Sequence, residues 1–147
     1  MALLYIEKMT EDHIEAGVDL FMDVFSREPW NETYDSREQV IRFFRGHMLN
    51  NYFVGYVMKE YDEIVAISLG MKKPWLQGME YYIDQFCVKF ERQGEGIGSR
   101  FLKMIEDDLE SQGMNAVMLN TEKGFPSERF YIKNGFQSLD ELVIMVK

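Results

Sequence analysis

The stretch Glu91-Arg92-Gln93-Gly94-Glu95-Gly96-Ile97-Gly98-Ser99-Arg100-Phe101 puts glycine at alternate positions, between a strand-like run and a helix-like run. A helix N-terminus carries unpaired N–H groups and a partial positive charge, and phosphate oxygens satisfy both. Glycine lets the backbone curl around a phosphate and lets the ligand come close. Residues 93–99 therefore read as a pyrophosphate cradle. The competing reading is a tight turn that needs positive φ, for which a single glycine would serve. A Walker loop ends in Gly-Lys-Ser/Thr, but here Gly98 is followed by Ser99 and Arg100, so that motif fails. In the dinucleotide fingerprint G-x-G-x-x-G the third glycine would fall at Ser99, and Glu122 lies at a suitable distance for a ribose carboxylate, so that alternative stays open.

Other reactive side chains are sparse. Cys87 is the one cysteine, which excludes an intramolecular disulfide framework and a Cys-rich zinc site. No histidine is placed to activate it, and strict alternation along Tyr82-Ile83-Asp84-Gln85-Phe86-Cys87-Val88 puts it opposite Asp84, so it reads as a small buried hydrophobe. Asp84 shares that parity with Phe86 and Val88. His13 and His47 lack ligand-like spacing, and no metal is expected.

These residues need a framework. A chain of 147 residues suits one domain, 1–147, and 46% hydrophobic residues make it globular rather than disordered. No apolar run is long enough to span a bilayer, and the first residues lack the pattern of a secretion signal, so the expected address is cytoplasmic and no membrane partner is expected. A formal net charge of −9 argues against nucleic acid and favours a cationic partner, although it would equally serve solubility.

The order of elements follows from periodicity. Residues 3–9 form a possible strand, and Thr10 can cap a helix carrying Ile14, Val18, Phe21 and Phe25 at helical spacing. Residues 27–35 break that pattern. Ser36 and Gln39 then have capping-box spacing ahead of Val40, Phe44 and Met48. Residues 53–59 and 63–70 read as a strand hairpin, 72–78 as a loop, and 80–90 as a long strand. Ile97, Phe101, Ile105 and Leu109 mark a helix that Gly113 can end. A short strand at 116–120, a helix starting near Pro126 and stopping at Asn134-Gly135, and a last strand at 142–147 complete the chain. The tight links make the middle strands antiparallel, while the unit across 80–120 is long enough for a right-handed parallel crossover. The expectation is an α+β fold with one mixed sheet and helices on its faces.

With those residues in place, the chain resembles the GNAT superfamily of N-acetyltransferases. Gln93-Gly94-Glu95-Gly96-Ile97-Gly98 fits its acetyl-CoA signature Q/R-x-x-G-x-G/A. Phe86 and Val88 fit the apolar positions before it, and Phe130-Tyr131-Ile132-Lys133-Asn134-Gly135-Phe136 is similar to its late FYxKxGF motif. Gly124, Ser127 and Phe90 depart from residues common there.

The resemblance implies a GNAT-like acyl-CoA N-acyltransferase fold, mostly antiparallel. It implies acetyl-CoA as co-substrate and direct transfer of acetyl to a primary amine through a tetrahedral intermediate, with no acyl-enzyme. It puts backbone N–H groups of Phe86, Cys87 and Val88 on the pantetheine and thioester, those of Gln93, Gly94, Glu95, Gly96, Ile97, Gly98 and Ser99 on the phosphates, and Asn120 beside the cofactor. Tyr131 becomes the general acid, since a phenol of pKa near ~10 stays protonated at neutral pH. Asp84 becomes the base, unless it merely pairs with a neighbouring strand's lysine or tyrosine; Glu80 is the fallback. The segment between the first two helices commonly walls the acceptor groove in this family. Here it carries Trp30, Glu28, Glu32 and Asp35, suited to a small cationic amine, and Trp75 in a second loop could line the other side. Some aminoglycoside 6′-N-acetyltransferases carry similar Pro-Trp stretches. A non-catalytic acetyl-CoA-binding module, an enzyme acting on protein amines and a dinucleotide-binding enzyme remain alternatives. Relatives are often dimers, so a homodimer is a further expectation.

Overall fold

The computed structural model describes residues 3–147. Its elements run β1 (Leu4–Lys8), α1 (Ile14–Phe25), α2 (Arg37–Met48), β2 (Phe53–Glu60), β3 (Glu63–Trp75), β4 (Gly78–Val88), α3 (Ile97–Ser111), β5 (Ala116–Leu119) and α4 (Pro126–Lys133). One sheet carries the strands in the order β1-β2-β3-β4-β5. Every neighbouring pair is antiparallel except β4 and β5, which are parallel across the α3 crossover. This is the mixed sheet flanked by helices that the order of elements predicts.

The sheet has a core on each face. On one, Val18, Phe21 and Phe25 of α1 and Val40 and Phe44 of α2 pack on Val57, Ile67, Leu69 and Cys87. On the other, Ile97, Phe101, Ile105 and Leu109 of α3 pack on Val54, Tyr56, Tyr81 and Ile83. The helical spacings seen in the sequence are these two buried stripes. Ser36 caps α2 as its spacing implies, its hydroxyl accepting from the Gln39 N–H at 3.1 Å. The Gln39 side-chain Oε1 reaches back one residue further and accepts from the Asp35 N–H at 2.7 Å.

Two expectations fail. Residues 72–78 are not a loop: β3 and β4 stay paired from Lys72↔Tyr81 to Trp75↔Gly78, leaving only Leu76 and Gln77 to turn the chain. β2 pairing stops at Phe53↔Met71, so Pro74 lies where β3 has an open side and its missing donor costs no ladder bond. The strand expected at 142–147 does not form. Val143, Ile144, Met145 and Val146 are 72–94% exposed and pair with nothing in the sheet, whose edge strand β5 bonds only to β4. β5 has a free edge, but strand propensity produces a strand only where the chain path lays the segment against one.

A third feature was invisible in the pattern. The β3–β4 register steps from Leu69↔Gln85 to Gly70↔Ile83, so Asp84 is an extra residue, a β-bulge. Tyr81 and Ile83 face α3, as do Phe86 and Val88 beyond the bulge, and Cys87 faces α1 and α2. The parity linking Asp84 to Phe86 is therefore broken, and Asp84 lies on the same face as Cys87 rather than opposite it. Gly70 permits the bulge: a Cβ there would stand 2.2 Å from the Tyr82 carbonyl oxygen and 2.7 Å from the Tyr81 ring.

Candidate active site: a cleft where two strands part

β4 and β5 run side by side only from Glu80↔Ala116 to Ile83↔Leu119. Past that point β4 continues to Val88 while β5 ends, so the sheet splits open beside residues 84–88. The opening leads into a cavity of about 540 Å³, lined by β4, the glycine loop, the α1–α2 loop and α4. Lys89 donates its N–H to Val65 of β3 at 2.8 Å. By alternation along the strand, Cys87 also turns its N–H towards β3, and Phe86 and Val88 turn theirs into the opening. Of the three N–H groups expected to serve a ligand, two are available. Cys87 lines the cavity by its position on the strand.

The glycine loop forms the second wall. After Val88 the chain makes a 3₁₀ turn over Phe90–Arg92 and enters α3 through Gly96, with no side chain capping the helix. The Gln93 N–H is already spent on the Phe90 carbonyl at 3.2 Å, and its side chain donates to the Val88 carbonyl at 3.0 Å. Gln93 therefore shapes the loop. Among the described residues, the N–H groups of Gly94, Glu95, Gly96, Ile97, Gly98 and Ser99 have no backbone partner. The three glycines answer to different constraints. Gly94 and Gly96 have φ of +83° and +80°, in the left-handed region that penalises any Cβ. At Gly98 a Cβ would meet the Phe130 ring at 3.0 Å. The turn reading thus accounts for two of them without a ligand, and the free N–H groups are what a phosphate would add. Glu95 points its carboxylate at Arg92, which also grips Glu60 through both guanidinium ends at 2.7 and 3.1 Å. Ile97 is buried in the core. Lys133 lines the cavity, although its sequence context reads as that of a solvated lysine.

Tyr131 closes one side. It projects from α4 between Phe86, Phe130 and Phe136, with ring centroids 6.1, 5.1 and 5.3 Å away. Burial pushes its phenol well above the ordinary value, with the Cys87 thiol adding to the shift. Burial also pushes up the Cys87 thiol, which removes thiolate character. Tyr131 lines the cavity, and its hydroxyl has no hydrogen bond to a described residue.

Asp84 sits where the two strands separate, one residue past the last β4–β5 pair, and is not part of the cavity lining. Its Oδ2 lies 2.9 Å from His47 Nε2 and accepts from Gln85 Nε2 at 3.2 Å. The His47 hydrogen bond holds its carboxyl below the usual range, outweighing the opposing effect of burial. Asn120, just beyond β5, donates to the Tyr82 hydroxyl at 2.8 Å and does not line the cavity. Glu80, the fallback base, lies within the paired part of β4 and meets Lys73 at 3.5 Å, away from the opening.

The α1–α2 loop forms the remaining wall through Glu28, Pro29 and Trp30. Trp30 is wedged edge-on between Phe25 and Phe125, at 5.3 and 5.1 Å, so it both packs the loop and borders the cavity. Glu32 accepts from the Tyr34 hydroxyl at 2.8 Å and is not part of the lining. Trp75 is a correction. It sits at the far end of β4, opposite Gly78, where its indole N–H donates to Asn115 at 2.9 Å. An eleven-residue strand separates that end from Val88, roughly 30 Å at the usual rise.

His47 was missed. It is distant from Asp84 in sequence, and only the docking of α2 on the bulged strand brings the two together. Among the described residues no group of three or more His, Cys, Asp or Glu could hold a metal ion. No helix of the described residues is long and apolar enough to cross a membrane.

The architecture recurs in solved structures. A possible acetyltransferase from Clostridium difficile 630 is 15% identical, with 99% of this chain and 97% of that one covered and a TM-score of 0.83. The aminoglycoside N-acetyltransferase AAC(6')-Iy, solved in complex with CoA, is 10% identical over 100% of this chain and 96% of that one, with a TM-score of 0.77. An aminoglycoside acetyltransferase, meta-AAC0020, from an uncultured soil metagenomic sample is 19% identical over 98% and 95%, with a TM-score of 0.74. At such identities the likeness is one of fold. The family model described as "Acetyltransferase (GNAT) family" matches residues 14–136, spanning α1 and α2, the split in the sheet and the late aromatic motif. On that match the chain belongs to the GNAT family of acetyltransferases.

Proposed function

We propose that this protein moves an acetyl group from acetyl-CoA directly to the primary amine of a small, cationic molecule. The observation that carries the reading is the split between β4 and β5, with an uncapped helix N-terminus on one side and Tyr131 on the other. Free N–H groups along 94–99 suit phosphate oxygens, and the N–H groups of Phe86 and Val88 suit the amide and carbonyl oxygens of a pantetheine arm. Lys133 adds positive charge at the cavity. The residues present therefore fit acetyl-CoA, which when bound supplies an activated carbonyl with a thiolate leaving group.

The chain's own groups then have distinct tasks. N–H donors aimed into the opening stabilise negative charge growing on the carbonyl oxygen. Asp84 accepts the proton that leaves the amine nitrogen as the nitrogen–carbon bond forms. Tyr131 gives its proton to sulfur as the carbon–sulfur bond breaks; burial keeps the phenol protonated until then, while making it a weaker acid than a free phenol. Net passage of one proton from Asp84 to Tyr131 through solvent restores the starting state. Glu28 and the ring of Trp30 offer negative charge and a π face to an ammonium group. The aminoglycoside enzymes among the structural neighbours are consistent with a small amine acceptor. The dinucleotide alternative loses support, because a hairpin leads into β4 and the sheet has a single parallel pair.

Thermal unfolding with ligands tests the cofactor half. Acetyl-CoA at about 100 times its dissociation constant should add about 2.7 kcal/mol of apparent stability, and NAD should add none. Stabilisation by NAD alone would overturn the reading. Tyr131→Phe tests the chemical half. Thiol release over a panel of amines should show kcat lowered by roughly 10- to 1000-fold, with acetyl-CoA affinity kept. An unchanged kcat would leave Tyr131 as packing.

A further inference from the structure

The β4 bulge turns Asp84 towards α2, and the side chain that meets it there is His47. His47 lies near the end of α2, three residues after the fully buried Phe44, and its ring stands edge-on to Phe43 at 4.8 Å and 89°. Helix packing thus fixes the imidazole. Both donors that reach Asp84, His47 Nε2 at 2.9 Å and Gln85 Nε2 at 3.2 Å, converge on the same oxygen, Oδ2. Among the described residues nothing donates to Oδ1. The carboxylate is therefore held by one oxygen and open at the other, beside the point where β4 and β5 part but outside the cavity lining, and its side chain is one-third exposed.

We propose that His47 is a positioning residue for the acceptor amine: it clamps Asp84 through Oδ2, so that Oδ1 is the oxygen that meets the amine and receives its proton. The proposal rests on the reading of Asp84 as the base. A carboxylate on an exposed, bulged strand would otherwise sample several rotamers, and proton transfer requires an acceptor within hydrogen-bond reach of the nitrogen. A single clamped oxygen supplies that at little reorganisation. The other titratable group near Asp84 is the Tyr82 phenol, raised mainly by its burial and tied to Asn120, so it remains neutral beside the carboxylate. No lysine or arginine pairs with Asp84 among the described residues, which leaves its charge for a cationic acceptor.

Two measurements test this. Carbon-13 NMR of the Asp84 carboxyl needs no acceptor. Its titration midpoint in the wild type should lie below ~3.9 and rise in His47→Ala; an unmoved midpoint overturns the clamp. Kinetics then use sisomicin and spermidine as acceptor probes, with acetyl-CoA hydrolysis measured in parallel so that water reports on the pair if neither amine reacts. His47→Ala should lower kcat/KM for the acceptor by roughly 10- to 100-fold, the range of a lost hydrogen bond to a charged group, and leave KM for acetyl-CoA unchanged. His47→Gln, whose amide can still donate, should recover most of the rate. In an Asp84→Asn background His47→Ala should have little further effect, whereas a purely structural role would cost the same in either background. A damaging Asp84→Asn with a silent His47→Ala sinks this proposal alone. A silent Asp84→Asn sinks the base assignment beneath it.

Discussion

The two walls of the cleft are made of different material. The wall formed by 86–99 offers backbone: N–H groups of Phe86 and Val88 and those of the uncapped start of α3. The wall formed by the end of α1 and the α1–α2 loop offers side chains, Glu28 and Trp30, and outside the lining, where β4 and β5 part, His47 meets Asp84. Backbone donors cannot be deleted by substitution, only displaced by changing φ or inserting a Cβ. Side-chain groups can be removed singly. The contrast teaches that the side-chain wall can be changed one group at a time, whereas the backbone wall changes only through its conformation.

The most damaging way to break the contrast is to strike what both walls share. Gly70→Ala puts a Cβ 2.2 Å from a backbone oxygen inside the β3–β4 pair, where no flexible side chain can yield. The bulge would have to shift, so stability should fall by about 1–3 kcal/mol, seen as a lower denaturation midpoint, and kcat should fall with it. Equal stability and activity would mean that the bulge does not depend on Gly70. Next comes a blow to the backbone wall alone. Gly96→Val forces a β-branched residue to a φ of +80° although no protein atom crowds the site, so any loss arises from loop geometry. Strain of about 1–2 kcal/mol should weaken CoA binding by roughly 10-fold in a calorimetric titration, with KM for the amine little changed. Normal CoA affinity would remove the loop as the cradle. The smallest effect belongs to the side-chain wall. Trp30→Ala should raise KM for a cationic amine by about 2- to 5-fold and spare KM for acetyl-CoA, the size of one exposed cation–π contact. Raising salt from low to high ionic strength should raise the same amine KM through screening. Indifference to both would move the acceptor elsewhere.

Legibility in the sequence follows the same division. Gly94, Gly96 and Gly98 stand out because constraints on φ and close packing select glycine at fixed short spacing. Tyr131 was found because its neighbours Phe130 and Phe136, against which it packs, belong to one short motif. The side-chain wall was read only in part. Glu28 and Trp30 were found as a loop, whereas Glu32 turned out to serve Tyr34, and Trp75 lay at the wrong end of a strand whose length was underestimated. Asp84 was singled out for the wrong parity, because a strict period of two cannot register one extra residue.

What the sequence determined by itself was local: which segments are helices, which are paired hairpins, and where the chain enters α3 through glycine. Periodicity, capping and backbone sterics act over a few residues, so they can be read from a few residues. The tertiary structure alone decided three matters. It left the apolar run at 142–147 exposed and unpaired although β5 has a free edge, since a ladder forms only where the chain path lays a segment alongside one. It opened the sheet at Asp84, since β5 ends at Leu119 while β4 runs on to Val88. And it set His47 against Asp84, a contact fixed by how α2 packs over a bulge, a geometry that no spacing along the chain encodes.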